Sequence, residues 1–256
     1  MLILTKLQRP SVAEDFLVRS RLTERLEQSR SRKLTLISAP AGYGKSSLVS
    51  AWLESTADAS VWLSIDKNDT DLTLFLSYLV TGIRAYFPEG CPSSFEILQA
   101  AKPPPFDVVA ASLINDLAEL ATPLIIVFDD YQYIVGSDSA RLITTLVQYA
   151  PHQINVVIVT RHDPNLALAR LRAKHEMLEV RSEDLRFTQS EVAAFLATYL
   201  DRPLTEKTIR LFSEKTEGWA VGLRLAALSL RGSKDSAICR TPRLCPTRKC
   251  NRVLNV

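Results

Sequence analysis

The chain has 256 residues, 46% of them apolar and 23% charged, with a formal net charge of +3. That is room for one α/β domain and a smaller helical appendage; no apolar run nears the ~20 residues of a membrane-spanning helix, and the first six residues lack the layout of a secretory signal, so the expected location is cytoplasmic. Residues 233–256 hold six basic residues against one acid, Asp235, and so carry +5, leaving −2 on the remainder and no net basic charge there for nucleic acid.

Residues 1–33 are mixed in character, with a helix expected over 22–28. Residues 34–38 form a short apolar run that stops at Ala39-Pro40, which predicts a buried strand. After Gly44 the spacing of Leu48, Val49, Trp52 and Leu53 is helical. A second strand is predicted over 61–65, ending in the polar stretch Asp66-Lys67-Asn68-Asp69, whose acids read as turn formers. A helix follows over 72–87, stopped by Pro88. Residues 88–106, with Gly90, Pro92 and Pro103-Pro104-Pro105, read as a loop, and Asp107 as the N-cap of a helix reaching Leu120.

The most apolar strand is predicted over 124–128, then a helix over 140–149, a strand over 155–159 and a fifth over 177–180. Strands alternating with helices imply a parallel sheet covered on both faces. Beyond Val180 the pattern is helical. Thr188-Gln189-Ser190-Glu191 is a capping box opening a helix over 191–200, bounded by Pro203. Two more helices are expected over 205–215 and 219–231, with Gly232 as the C-cap and Trp219, Leu223, Leu225 and Leu228 as an ordinary core stripe. From Ser233 periodicity vanishes and Cys, Arg and Pro dominate. Such a tail is expected to be disordered, as in the read-through of a shifted reading frame. Its Cys239, Cys245 and Cys250 have neither the Cys-x-x-Cys spacing nor a nearby His that a zinc site needs, and disulfides are not expected in a cytoplasmic chain.

Chemistry concentrates at the strand ends. Ala39-Pro40-Ala41-Gly42-Tyr43-Gly44-Lys45-Ser46 fits the phosphate-loop pattern, with Ala39 in place of its first glycine. Gly42 and Gly44 permit conformations and a close approach that a Cβ blocks, so successive N–H groups can face phosphate oxygens. The following helix offers its N-terminus to the same anion. Lys45 reaches the β- and γ-phosphates, and the Ser46 hydroxyl ligates Mg²⁺. With Ser47, these residues form the expected ATP-binding set. Asp129 and Asp130 end the third strand. Adjacent acids also suit a turn, but with a phosphate loop upstream Asp129 is assigned to Mg²⁺ and Asp130 to the base that polarises the attacking water. Arg161 follows the fourth strand, either as a γ-phosphate sensor or as a surface arginine closing a loop. His152, His162 and His175 carry no assigned role. The expected architecture is a P-loop NTPase with a five-stranded parallel sheet over 34–182 and a helical region over 183–232.

Several segments resemble the N-terminal ATPase domain of MalT-like regulators, the large ATP-dependent branch of LuxR-type transcription factors in the STAND class of P-loop ATPases. They are Lys6-Leu7 with Pro10, Val18-Arg19-Ser20-Arg21-Leu22, Ser38 through Ser46, Trp52-Leu53, Trp62-Leu63-Ser64-Ile65-Asp66, Val127-Phe128-Asp129-Asp130-Tyr131 and Thr216-Glu217-Gly218-Trp219-Ala220-Val221-Gly222-Leu223. The resemblance implies that the Arg161 strand lies between the phosphate-loop strand and the Asp129 strand, bringing Arg161 to the γ-phosphate. It also implies that Val18 and Arg19 border the adenine. Hydrolysis is expected to be a slow timer, with ADP holding a closed monomer and ATP plus an inducer allowing self-association. Family members continue into a winged helix, a helical-repeat sensor and a DNA-binding helix-turn-helix. None is visible after Gly232, so a truncated product that binds nucleotide but not promoters is expected. A free-standing P-loop ATPase or kinase is the competing reading; Arg202 and Arg210 are the lid arginines available to the latter.

Overall fold

The computed structural model describes residues 2–13, 15–200 and 204–232. Pro203, Arg202 and the expected tail over 233–256, with its three cysteines, lie outside those residues. Five strands, β1 (Leu34–Ser38), β2 (Ala59–Ser64), β3 (Leu124–Asp129), β4 (Ile154–Thr160) and β5 (Met177–Arg181), form one sheet in the order β2-β3-β4-β1-β5. All four pairings are parallel. β4 therefore lies between β1 and β3, as the resemblance implies.

β1, β3 and β4 are buried along their whole length, because helices cover both faces. Alternate residues divide cleanly between the two sides. Leu34, Leu36, Ile126, Phe128, Val156 and Ile158 pack with α3 (Leu72–Tyr86), α5 (Phe106–Ala118) and α6 (Asp138–Tyr149). Ile37, Ile125, Val127, Val157 and Val159 meet α1 (Ser20–Glu27) and α2 (Lys45–Ser55) through Leu22, Leu26, Leu48 and Trp52. Among the described residues, no helix is long and apolar enough to cross a membrane.

Three expectations are corrected. The stretch read as a loop over 88–106 contains a helix, α4 (Pro92–Gln99). Pro92 occupies its first turn, where a missing N–H costs nothing, and the Asp116 carboxylate on α5 accepts from the N–H groups of Ser93 (3.3 Å) and Ser94 (2.7 Å). Pro105, not Asp107, is the N-cap residue of α5; Asp107 lies in its first turn. Two short helices, α7 (Leu168–Ala173) and α8 (Ser182–Leu185), also escape the pattern, being too short for periodicity to register.

The third correction concerns the C-terminal helices α9 (Gln189–Tyr199), α10 (Glu206–Thr216) and α11 (Ala220–Gly232), which share a separate apolar cluster. The capping box at Thr188 and Glu191 forms as read. The stripe on α11 does not: Leu223, Ala226 and Ala227 are buried, whereas Leu225 and Leu228 are 54% and 47% exposed. Leu223 recurs at three and four residues with the alanines, so the small residues complete the buried face and the larger leucines turn outward.

Gly218 joins α10 to α11 with φ +70°, and a Cβ there lies 2.7 Å from both the N and the O of Phe187. The Phe187 N–H donates to the Gly218 carbonyl at 2.9 Å, so the two backbones are in direct contact. Gly218→Ala is expected to destabilise the fold by on the order of 1–3 kcal/mol, read as a drop in thermal melting temperature. An unchanged midpoint would mean that this junction is not under strain.

Candidate nucleotide-binding site

The C-terminal ends of β1, β3 and β4 meet on one side of the sheet, where parallel α/β sheets form their ligand crevice. The Ala39 N–H donates to the Thr160 carbonyl (3.3 Å), fixing the start of the loop to β4. Gly42 (φ +80°) and Gly44 (φ +76°) take left-handed conformations, and Gly44 is the N-cap residue of α2. Lys45 folds back so that Nζ donates to the Pro40 carbonyl at 3.0 Å.

The helical region holds this loop from outside. The Trp219 indole N–H donates to the Ala41 carbonyl (3.3 Å), and the Val221 N–H to the Gly42 carbonyl (3.2 Å). In a trans peptide the C=O and N–H point in opposite directions. With these two carbonyls turned to α11, the N–H groups of Gly42 and Tyr43 face away from it, as an anion-binding nest requires. A Cβ on Gly42 would stand 2.8 Å from the Trp219 indole nitrogen, so this glycine is required by the helical region.

Ser46 Oγ donates to Asp129 Oδ1 at 3.1 Å, and the Asp130 N–H donates to the same oxygen at 2.9 Å. A hydroxyl and a carboxylate this close are the oxygen ligands that suit Mg²⁺. Burial pushes Asp129 up to about 6, with a smaller rise from Asp130 and opposing pulls from Ser46, the Asp130 N–H and Lys45. Burial likewise holds Lys45 below its ordinary value; Asp129 and Asp130 pull it back up, and Arg161 adds to the fall. Lys45 therefore feels all three groups, and the four form one electrostatic cluster. Asp130 has a left-handed backbone, with φ 57°. The Arg161 guanidinium lies 4.0 Å from its carboxylate.

The sign of the Asp129 shift sets a pH dependence. A carboxyl whose folded pKa is raised contributes stability below about 3.8, which is lost as pH rises through about 6. Asp129→Asn is therefore expected to stabilise the ligand-free protein by on the order of 1–3 kcal/mol at about pH 8 and not at about pH 4. Melting curves at both values check it; equal shifts would remove the buried-charge explanation.

Beside the loop lies a cavity of about 340 Å³, walled by Arg19, Tyr43, Ser47, Phe187 and Val221 among others. That volume lies within the ordinary range of small-molecule sites. Arg19 is 4% exposed; it donates to the Leu185 carbonyl at 2.7 Å and sits 4.6 Å from the Phe187 ring centroid. Desolvation lowers it to about 10. Val18 is 64% exposed and does not line the cavity. At the rim, Asp15 accepts from Tyr199 Oη and from Arg224 (3.3 Å), tying the N-terminal segment to α9 and α11. Asp66 and Asp69 instead cap a 3₁₀ turn, where Lys6 pairs with both. Arg210 pairs with Glu214 (2.9 Å) on an exposed face of α10.

Residues 18–159 match the family model described as AAA ATPase domain. The chain belongs to the AAA ATPase domain family. This AAA ATPase domain is 33% identical over 237 residues to the HTH-type transcriptional regulator MalT of Klebsiella pneumoniae, a match that covers 93% of this chain and 26% of the regulator. The chain thus spans about a quarter of the length of the relatives it matches. In fold it is similar to a STAND protein with a tetratricopeptide-repeat sensor from Pyrococcus horikoshii, with a TM-score of 0.57 at 18% identity, covering 91% of this chain and 32% of that one. A Walker-type ATPase of Pyrococcus abyssi gives a TM-score of 0.54 at 18% identity, covering 90% and 72%. The two structural likenesses show the P-loop fold, and in sequence the AAA ATPase domain is similar to about a quarter of the MalT regulator.

The structure brings Lys45, Ser46, Asp129, Asp130 and Arg161 to one place and sets Arg19 on the adjoining cavity. Sequence reasoning gave no role to Gln132, which bonds to Asp130, and gave Trp219 none beyond the core stripe and the family resemblance. The short step from the acid pair to Gln132 was its only signal; the indole contact, 178 residues from its partner, had none.

Proposed function

We propose that the chain is the nucleotide-operated module of a larger transcriptional regulator of the MalT type, binding ATP and ADP with Mg²⁺ and hydrolysing ATP slowly. Residues 34–182 act as the ATPase core, 1–33 border the nucleotide, and 183–232 cover it. The observation that carries this reading is the 3.1 Å contact between Ser46 and Asp129, which joins the phosphate loop to the acidic end of β3. The N–H groups from Ala39 to Ser47 and the start of α2 would take the phosphates. Lys45 would leave the Pro40 carbonyl for the β- and γ-phosphates, while Ser46 and Asp129 hold Mg²⁺. When bound, the metal neutralises charge on the phosphate oxygens. The adenine would enter the cavity beside Arg19. Asp130 accepts the proton of the attacking water and Arg161 faces the γ-phosphate.

A difference in the contacts made by ATP and ADP is what such a switch needs to change shape or self-associate, and a module of a transcriptional regulator would do so in the cytoplasm. Calorimetric titration with ADP and a non-hydrolysable ATP analogue, with and without Mg²⁺, tests the site. Binding that ignores Mg²⁺ would remove the assignment of Ser46 and Asp129. Sedimentation in the two nucleotide states tests self-association; a monomer in both would leave no such step for this module.

A further inference from the structure

Asp130 does not stand alone. Its Oδ1 accepts from the Gln132 side-chain amide at 2.7 Å, and the other end of that amide, Oε1, accepts from the Arg161 N–H at 3.1 Å. Only one orientation of the amide satisfies both contacts, because Nε2 must donate to the carboxylate and Oε1 must accept from the backbone. Gln132 therefore bridges the end of β3 to the end of β4. The same Oδ1 lies 4.0 Å from the Arg161 guanidinium, while no hydrogen bond among the described residues reaches Oδ2. One carboxylate oxygen is thus held by the protein and the other is left to a ligand or water. The left-handed backbone of Asp130 fits the same picture. Such a conformation is sparsely populated outside glycine, and here the Tyr133 N–H supports it by donating to the Asp130 carbonyl at 3.2 Å.

We propose that Gln132 is a positioning residue that locks Asp130 and Arg161 into one unit, so that the group assigned to the water and the group assigned to the γ-phosphate keep a single geometry. This rests on the ATPase reading above. The bridge needs a side chain that donates to a carboxylate and accepts from an N–H at once. Gln132→Met removes both contacts at similar length. Gln132→Glu keeps an acceptor for Arg161 but sets a carboxylate against Asp130. Neither substitution touches the phosphate loop or the cavity.

The experiment measures single-turnover hydrolysis, affinity for ADP and for a non-hydrolysable ATP analogue, and melting temperature, in wild type, Gln132→Met, Gln132→Glu, Asp130→Asn and the Gln132→Met/Asp130→Asn double variant. Both Gln132 variants are expected to lose about 10–100-fold in rate with ADP affinity and melting temperature unchanged, the size of effect that misplacing a reacting group produces. In the Asp130→Asn background Gln132→Met should cost less in rate than it does in wild type, because the share that acts through Asp130 is already gone and only the share through Arg161 remains. A readout independent of turnover is the ratio of analogue to ADP affinity, expected to fall about tenfold in Gln132→Met as Arg161 loses its anchor; if wild-type turnover is too slow to measure, this ratio decides. Wild-type rate and ratio in Gln132→Met, or a parallel fall in ADP affinity and melting temperature, would overturn the proposal while leaving Asp130 in place. A wild-type rate in Asp130→Asn would instead remove the base assignment and the bridge's catalytic purpose with it.

Discussion

Lys45→Ala is expected to abolish the thermal stabilisation that nucleotide would confer. In the ligand-free protein the ammonium contributes little: it bonds to the Pro40 carbonyl of its own loop, and burial already disfavours its charge. Its removal should therefore leave the ligand-free melting temperature close to wild type. Nucleotide changes the comparison. A ligand at 100 times its dissociation constant stabilises a fold by about 2.7 kcal/mol, and for a chain of this size each kcal/mol moves the midpoint by roughly 2–4 °C. Wild type should thus gain about 5–10 °C with saturating ADP and Mg²⁺, and Lys45→Ala none at the same concentration. Differential scanning fluorimetry reads both. An equal gain in the two proteins would place the phosphates elsewhere.

Asp130→Asn separates binding from chemistry. Asn keeps the size of the side chain and can still accept from Gln132, so the turn after β3 should persist. It cannot take a proton from water. Hydrolysis should fall by about 10²–10⁴-fold, the usual worth of a positioned base, with ADP affinity within a factor of about two of wild type. Asp129→Asn should have a different signature, because Asp129 bonds to Ser46: there the Mg²⁺ dependence of binding is expected to be lost. Hydrolysis at the wild-type rate in Asp130→Asn would mean that the water is oriented by another group.

The site's local half was legible because its signals are local. The strand over 34–38, Gly42, Gly44, Lys45 and Ser46 are contiguous, and the acid pair ends a strand whose residues are all apolar up to it. The alternation of strands and helices implied the sheet, and the family resemblance the place of β4 between β1 and β3. What escaped depended on partners far along the chain. α4 was hidden behind Pro92, whose ring reads as a breaker until the Asp116 carboxylate, 23 residues beyond Ser93 and 22 beyond Ser94, is seen to cap the helix. The α11 stripe misled because Leu225 and Leu228 outweigh Ala226 and Ala227 in hydropathy, although the alanines fit the close approach to α9. Val18 and Arg19 were named as a pair, yet adjacent residues on an irregular segment diverge, and only Arg19 faces inward.

The indole that rests on the phosphate loop has an optical consequence. The chain has three tryptophans. Trp52 and Trp62 are sealed in the core between the sheet and α2, their ring nitrogens bonded to Glu27 and Ser64. Trp219 alone touches the loop, through the Ala41 carbonyl. Neither of the first two bonds to the loop through its ring nitrogen, so a change in tryptophan emission on adding nucleotide is expected to come mainly from Trp219, at the seam between loop and α11. The molecule carries its own dye at the place where occupancy would be converted into movement.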